Sequence, residues 1–208
     1  MSEYAKAIRR AATATYDEIY QPMYDTCAFQ NTPDLIRFFQ RPMGTPGGDL
    51  QPLGPEDTSQ YLAGVLPLPN QFYLTGLGVY YVPDYLGDAG TSRAMNITDT
   101  LAILGQGCLR LQIQNRRYLE VSPLAMVTPN FPMYWAREDS RLEKLLGEGE
   151  ISGELAPKVR NRPFDIVPIL IAPNQHYAVE VSFKQRRRLH SVGKLGVILY
   201  GRLIREAT

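Results

Sequence analysis

No apolar run in this chain goes far before a proline or a glycine stops it. The 208 residues hold 16 Pro and 17 Gly, well above ordinary usage, together with 13 Tyr. Proline has no amide hydrogen to give to a ladder, and glycine weakens the interior of any element. A chain punctuated this densely builds short strands joined by turns. Leu109-Arg110-Leu111-Gln112-Ile113-Gln114 has a period of two, with Leu109, Leu111 and Ile113 inward and Arg110, Gln112 and Gln114 outward. A turn at Asn115-Arg116-Arg117 leads to a strand opening with Tyr118-Leu119-Glu120-Val121, and Pro123 ends it. Val179, Val181 and Phe183 alternate with Glu180 and Ser182, the pattern of a half-exposed strand. Phe164 to Ile171 is broken at Pro168 and reads as an edge or bulged strand, and Gly196 to Ile204 as a final, mostly buried one.

The most apolar segment, Phe72 to Val82, follows Pro67 and Pro69, which set an extended entry. It reads as a long early strand in which Gly76 and Gly78 permit a bend or bulge, with Leu74, Leu77 and Val79 buried. Leu35 to Phe39 reads as a short strand or extended arm, and residues 97–104 as a strand or a short helix. Residues 40–60 form a long irregular loop, the kind that carries function or interactions. Residues 2–20 carry Tyr4, Ala7, Ile8, Ala11 and Ala12 at helical spacing, which predicts a helix with a weakly apolar face. Residues 136–162 are charged and polar, with too few apolar side chains to close a core of their own. About eight short strands without βα alternation define an all-β chain, an antiparallel sandwich or jelly roll. The expected organisation is a partly helical N-terminal arm over 1–34 and one β domain over 35–208, with the 40–60 loop and the 136–162 insertion.

Charge excludes several partners. With 22 basic and 21 acidic residues the net charge is +1, so no whole-molecule field draws nucleic acid or an anionic membrane. Contacts of that kind fall to local clusters: Arg9 and Arg10, and Arg186, Arg187 and Arg188 flanked by Lys184 and His190. These suit nucleic-acid phosphates or lipid head groups; the alternatives are a solvated loop, or pairing with the acidic 138–150 segment of another copy. Cys27 and Cys108 lie far apart and read as free buried thiols. The N-terminal residues lack the apolar region of a secretory signal, so the expected site of synthesis and folding is a cytoplasm.

Motifs for chemistry are missing. The only histidines, His176 and His190, do not make the HxH pair that a metal-binding cupin uses, and His176 reads as a surface side chain beside a turn. There is no GxSxG, no Walker loop and no cysteine–histidine signature. Gly105-Gln106-Gly107 reads as a turn, and the acid pairs Glu56-Asp57 and Glu138-Asp139 fall in charged loops. The expectation is a protein without catalytic residues, metal, cofactor or small-molecule substrate.

Several segments in order carry a resemblance: Phe38-Phe39-Gln40-Arg41-Pro42-Met43-Gly44, the TSQYLAG segment, Leu66-Pro67-Leu68-Pro69, the Gln71–Val82 strand, Gly107 to Pro123, IVPILIAPNQHYAVEVSF and GVILYGRLIRE. Across roughly residues 35–205 the chain resembles the single jelly-roll capsid proteins of tailless icosahedral bacteriophages, especially those whose shell surrounds an internal membrane. The resemblance implies an eight-stranded antiparallel jelly roll of two facing four-stranded sheets, standing upright in an icosahedral virion. It implies as partners other copies of the chain, other capsid proteins, and an internal membrane or packaged genome met through the basic loops. Five Lys against 17 Arg, with many Tyr, suits lateral protein interfaces. Two alternatives stand beside it: a carbohydrate- or receptor-binding β-sandwich of a spike or vertex, and a cupin-type enzyme.

Overall fold

Where the sequence alternates, the chain forms strands, and these fall into two sheets. The computed structural model describes residues 16–46, 52–84, 86–87, 93–126 and 164–206. The strands are β1 (Tyr16–Tyr20), β2 (Met23–Asn31), β3 (Leu35–Phe38), β4 (Gln71–Val82), β5 (Gly107–Ile113), β6 (Arg116–Val121), β7 (Phe164–Ile171), β8 (Tyr177–Phe183) and β9 (Arg188–Glu206). One helix, α1 (Arg93–Gln106), joins β4 to β5, and a short 3-10 helix, Pro123–Met126, follows β6.

All strand pairings among the described residues are antiparallel. One sheet has the order β1-β9-β4-β7, with β2 also on β9; the other has the order β3-β8-β5-β6. β1 and β2 lie end to end along the same edge of β9: Tyr20 faces Arg202 and Met23 faces Leu199. Gln21-Pro22 interrupts what is otherwise one strand, since Pro22 offers no amide hydrogen to β9. Counting that pair once, eight strands form two four-stranded sheets in the order of a double-sheet jelly roll.

The core lies between the sheets. Phe72, Leu74, Leu77, Val79, Leu195, Val197 and Leu199 from the first meet Leu109, Leu111, Val179 and Val181 from the second, all without solvent exposure. The register of β4 slips by a bulge between Leu74 and Gly76, which places Leu74 and Leu77, three residues apart, on the same inward side.

Several expectations need correction. The helix expected over 2–20 does not extend through Tyr16–Tyr20, which is β1, and the arm expected up to residue 34 contains β1 and β2, both laddered to β9. Pairing to β9 overrides the weak helical spacing there. Residues 1–15, with the rest of that helix, lie outside the described residues, as does the 136–162 insertion. Pro67 does not begin an extended entry: Asn70 N–H closes a turn on the Pro67 carbonyl at 2.9 Å, and the Leu68–Pro69 peptide is cis. The turn after β5 falls one residue early, with Gln114 at φ 53° and Arg116 already in β6. Residues 97–104 resolve as helix, and Gly105-Gln106 as its end. The basic loop ends at Arg187, because β9 begins at Arg188.

Gly201 is where β9 passes under its neighbour. A Cβ there would overlap the Tyr73 carbonyl oxygen and the Phe72 ring, whereas one at Gly105 on α1 would meet nothing. Gly201→Ala is expected to cost about 2 kcal/mol and lower Tm by about 6 °C, while Gly105→Ala leaves stability unchanged or raises it by up to about 1 kcal/mol. Thermal and urea unfolding of the two variants checks this contrast.

Candidate functional site

Three groups of polar side chains stand out against the apolar core. The first fastens the long β3–β4 connection to the sandwich. Asp25 is an inward-facing residue of β2, 1% exposed, between Met23 and Cys27. Its carboxylate accepts hydrogen bonds from the backbone N–H of Phe39 (2.5 Å) and of Thr26 (3.0 Å) and from the Thr58 side chain. Phe39 sits at φ 67°, a costly left-handed conformation for an aromatic residue, and its N–H is held by Asp25 as the chain leaves β3. Farther along, Thr58 bridges Asp25, and Ser59 N–H donates to the Tyr24 carbonyl at 2.9 Å, so this loop covers the free edge of β2. Tyr177 donates to Gln60 Oε1 at 2.5 Å, and Gly64 N–H donates to the Phe39 carbonyl at 2.6 Å. On the outer face of the same sheet, Lys194 Nζ meets Asp57 Oδ1 at 2.6 Å, and the Tyr24 hydroxyl donates to the Pro55 carbonyl.

Burial pushes the Asp25 carboxyl from 3.8 up to about 6, against the opposing effect of its hydrogen bonds and of Arg41. At Asp57 burial also pushes upward, but Lys194, the Gly54 N–H and Arg41 outweigh it and hold the carboxyl below its usual value.

The second group is a strip across the outer face of the β3-β8-β5-β6 sheet. Arg37, Glu180, Arg110 and Glu120 are in direct cross-strand register, alternating in sign over four strands. Arg37 Nε reaches Glu180 at 2.9 Å, Gln112 donates to the other Glu180 oxygen at 3.1 Å, and Arg110 reaches Glu120 at 3.1 Å. Arg117 joins Glu120 at 3.0 Å. The side-chain hydrogen bonds from Arg110 and Cys108 hold the Glu120 carboxyl below its usual value. Glu180 is thus buried under its partners, and β8 is more buried than its alternation suggested.

The third group lies at the end of the sandwich where β8 turns into β9. Arg186 makes a two-pronged contact with Asp34 at 2.9 and 2.7 Å, which holds that exposed carboxyl below its usual value. Arg187 ties the turn to the neighbouring one through its backbone: its N–H donates to Thr32 Oγ1 at 2.6 Å, and its carbonyl accepts from Thr32 N–H at 2.9 Å. Its side chain is exposed, as is that of Arg188, which faces Asn31 in the ladder. His190 turns toward α1, where the fully buried Asp99 accepts both its backbone N–H and its Nδ1 at 2.8 Å. All three arginines are exposed; Arg186 is paired with Asp34, Arg187 is tied to Thr32 through its backbone, and Arg188 faces Asn31 at the start of β9. Arg9 and Arg10 lie outside the described residues. His176 is exposed beside its turn.

Sequence reasoning missed Asp25, Lys194, Asp99 and the partners of Glu180. For Asp25 the signal was present: an acid at an inward position of an alternating strand. Among the described residues no group of three or more His, Cys, Asp or Glu is placed to hold a metal, and no helix is long and apolar enough to cross a membrane. Both cysteines are free. What these arrangements do is fasten loops and order surfaces, in a protein whose class is an all-β jelly roll. No protein-family model matches the chain, and no curated protein or solved structure matches it.

Because the Asp25 carboxyl is raised on folding, its favourable contribution is complete below pH 3.8 and is lost as the pH rises through about 6. Asp25→Asn keeps an acceptor for the Phe39 N–H and removes this dependence. The stability of Asp25→Asn relative to the parent is expected to rise by up to about 3 kcal/mol between pH 4 and pH 7 in urea unfolding. Asp25→Ala, which frees the Phe39 amide, is expected to be destabilised at both.

Proposed function

We propose that this chain is a structural subunit of an icosahedral viral shell, built into the virion by lateral contacts with other copies and with other shell proteins. Jelly rolls serve as capsid, lectin and cupin domains, so the fold class alone does not choose among these. The observation that carries the choice is the filled interior. Both sheets meet through fully buried Phe, Leu and Val side chains, so the interior that a cupin-type jelly roll gives to its metal or ligand is taken up by packing, which favours a structural role.

Other features support the same reading. The β3–β4 loop is fastened down by Asp25, Thr58 and Lys194, which makes a rigid wedge suited to repeated, geometrically defined contacts. The sides present arginine and tyrosine: Arg37, Arg110 and Arg117 on one sheet, and Tyr20, Tyr73 and Arg202 in one cross-strand row on the other. The role is structural and not enzymatic. The exposed Arg187 and Arg188, at one end of the sandwich, are the groups through which a subunit would touch lipid head groups or packaged nucleic acid.

The test is composition and assembly. Purified particles of the source virus are expected to contain the chain in many copies, and electron micrographs of concentrated protein to show closed shells or their fragments. A chain that stays monomeric at every concentration and is absent from particles would overturn the proposal.

A further inference from the structure

Each sheet has two outer edges, and an open edge is a row of unpaired amide and carbonyl groups. The structure treats its edges differently. β2 is covered by Thr58 and Ser59 of the clasped loop. β7 is blunted: Ile166, Val167 and Pro168 stand opposite Thr75 in an irregular bulge, and proline has no N–H to offer. β3 is only four residues long. Apart from that short strand, two edges are left uncovered on their outer side among the described residues, those of β1 and β6, the latter with one extra residue, Tyr118, just past its first two.

These two differ in charge. β1 reads Tyr16-Asp17-Glu18-Ile19-Tyr20, acidic at its centre, with Asp17 exposed and Glu18 in contact with Arg202 at 2.6 Å. β6 opens with Arg116 and Arg117, both exposed, the latter already sharing Glu120. They also lie on opposite sides of the sandwich. β2 and β3 are the edge strands of one side, since the three residues Thr32–Asp34 join them, and β1 continues the line of β2; β6 is at the far end of its sheet from β3.

We infer that the β1 edge of one copy pairs with the β6 edge of the next, Asp17 and Glu18 lying against Arg116 and Arg117. Like-with-like pairing is disfavoured, because it sets Glu18 near Glu18 or Arg116 near Arg117 of the other copy. A contact between unlike edges on opposite sides is heterologous, so it propagates from copy to copy until curvature closes it. The pairing rests on the shell-subunit reading for its occupant, and specifies which surfaces join the copies. Backbone hydrogen bonds supply the adhesion, and the charges select the partner edge.

Charge reversal tests it in the full-length chain. One variant carries Asp17→Lys with Glu18→Lys; the other carries Arg116→Glu with Arg117→Glu. Sedimentation velocity at low salt is expected to show self-association weakened at least about tenfold in each alone. An equimolar mixture of the two regains parental association, because each then offers the other an opposite edge. Unchanged thermal unfolding establishes that both are folded. If either variant loses its fold, the milder Asp17→Asn and Arg116→Gln are used, each expected to weaken association about threefold. Variants that associate like the parent, or a mixture that fails to recover, overturn the pairing while leaving the shell reading intact. A parent chain that neither associates nor occurs in particles overturns the shell reading itself.

Discussion

Strand β9 is hydrogen-bonded along both of its edges, and the rest of the first sheet depends on it. It runs for 19 residues, roughly three times the usual strand length. β1 and β2 share one of its edges and β4 occupies the other. Such a strand has no freedom to slip, because a shift of one residue would turn Leu195, Val197 and Leu199 out of the core. Its glycines make the close approach possible. Tyr80 and Tyr81 lie across Gly196 and Gly193, and Phe72 across Gly201, in the volume a side chain would need.

Around this strand the buried polar groups act as fasteners. Asp25 holds the exit from β3, Lys194 holds the loop that returns over β2, and Asp99 holds α1 against the first residues of β9 through His190. A carboxyl removed from water costs less when its lone pairs are taken, and Asp25, Asp57 and Asp99 each accept hydrogen bonds, although at Asp25 burial still outweighs them. The described parts of the β3–β4 connection and the β8–β9 turn are therefore ordered by the sandwich and not by their own composition.

This arrangement separates rigidity from recognition. Core packing and fasteners leave the sides of the molecule as the variable surfaces: a strip of alternating Arg and Glu on one sheet, a row of Tyr20, Arg202, Tyr73 and Leu170 on the other, and edges that are covered, bulged or open. The proposed assembly into a shell would use such sides, with loops and turns gathered at the ends.

Much of this was legible in the residues alone. The period-two alternation of Leu109 to Ile113, the break at Pro168 and the glycines after Leu74 determined that the chain is all-β, where its core strands run, and that β4 is bulged and β7 an edge, because side-chain alternation and the missing proline N–H are local properties. The tertiary structure alone decided that Tyr16 to Asn31 belongs to the sheet, since only the long edge of β9 recruits it against its own propensity. It also decided which charges meet. Arg186 finds Asp34, Lys194 finds Asp57 and His190 finds Asp99 across 152, 137 and 91 positions of sequence, and polar contacts of that reach follow from how the strands are ordered, which no local pattern encodes.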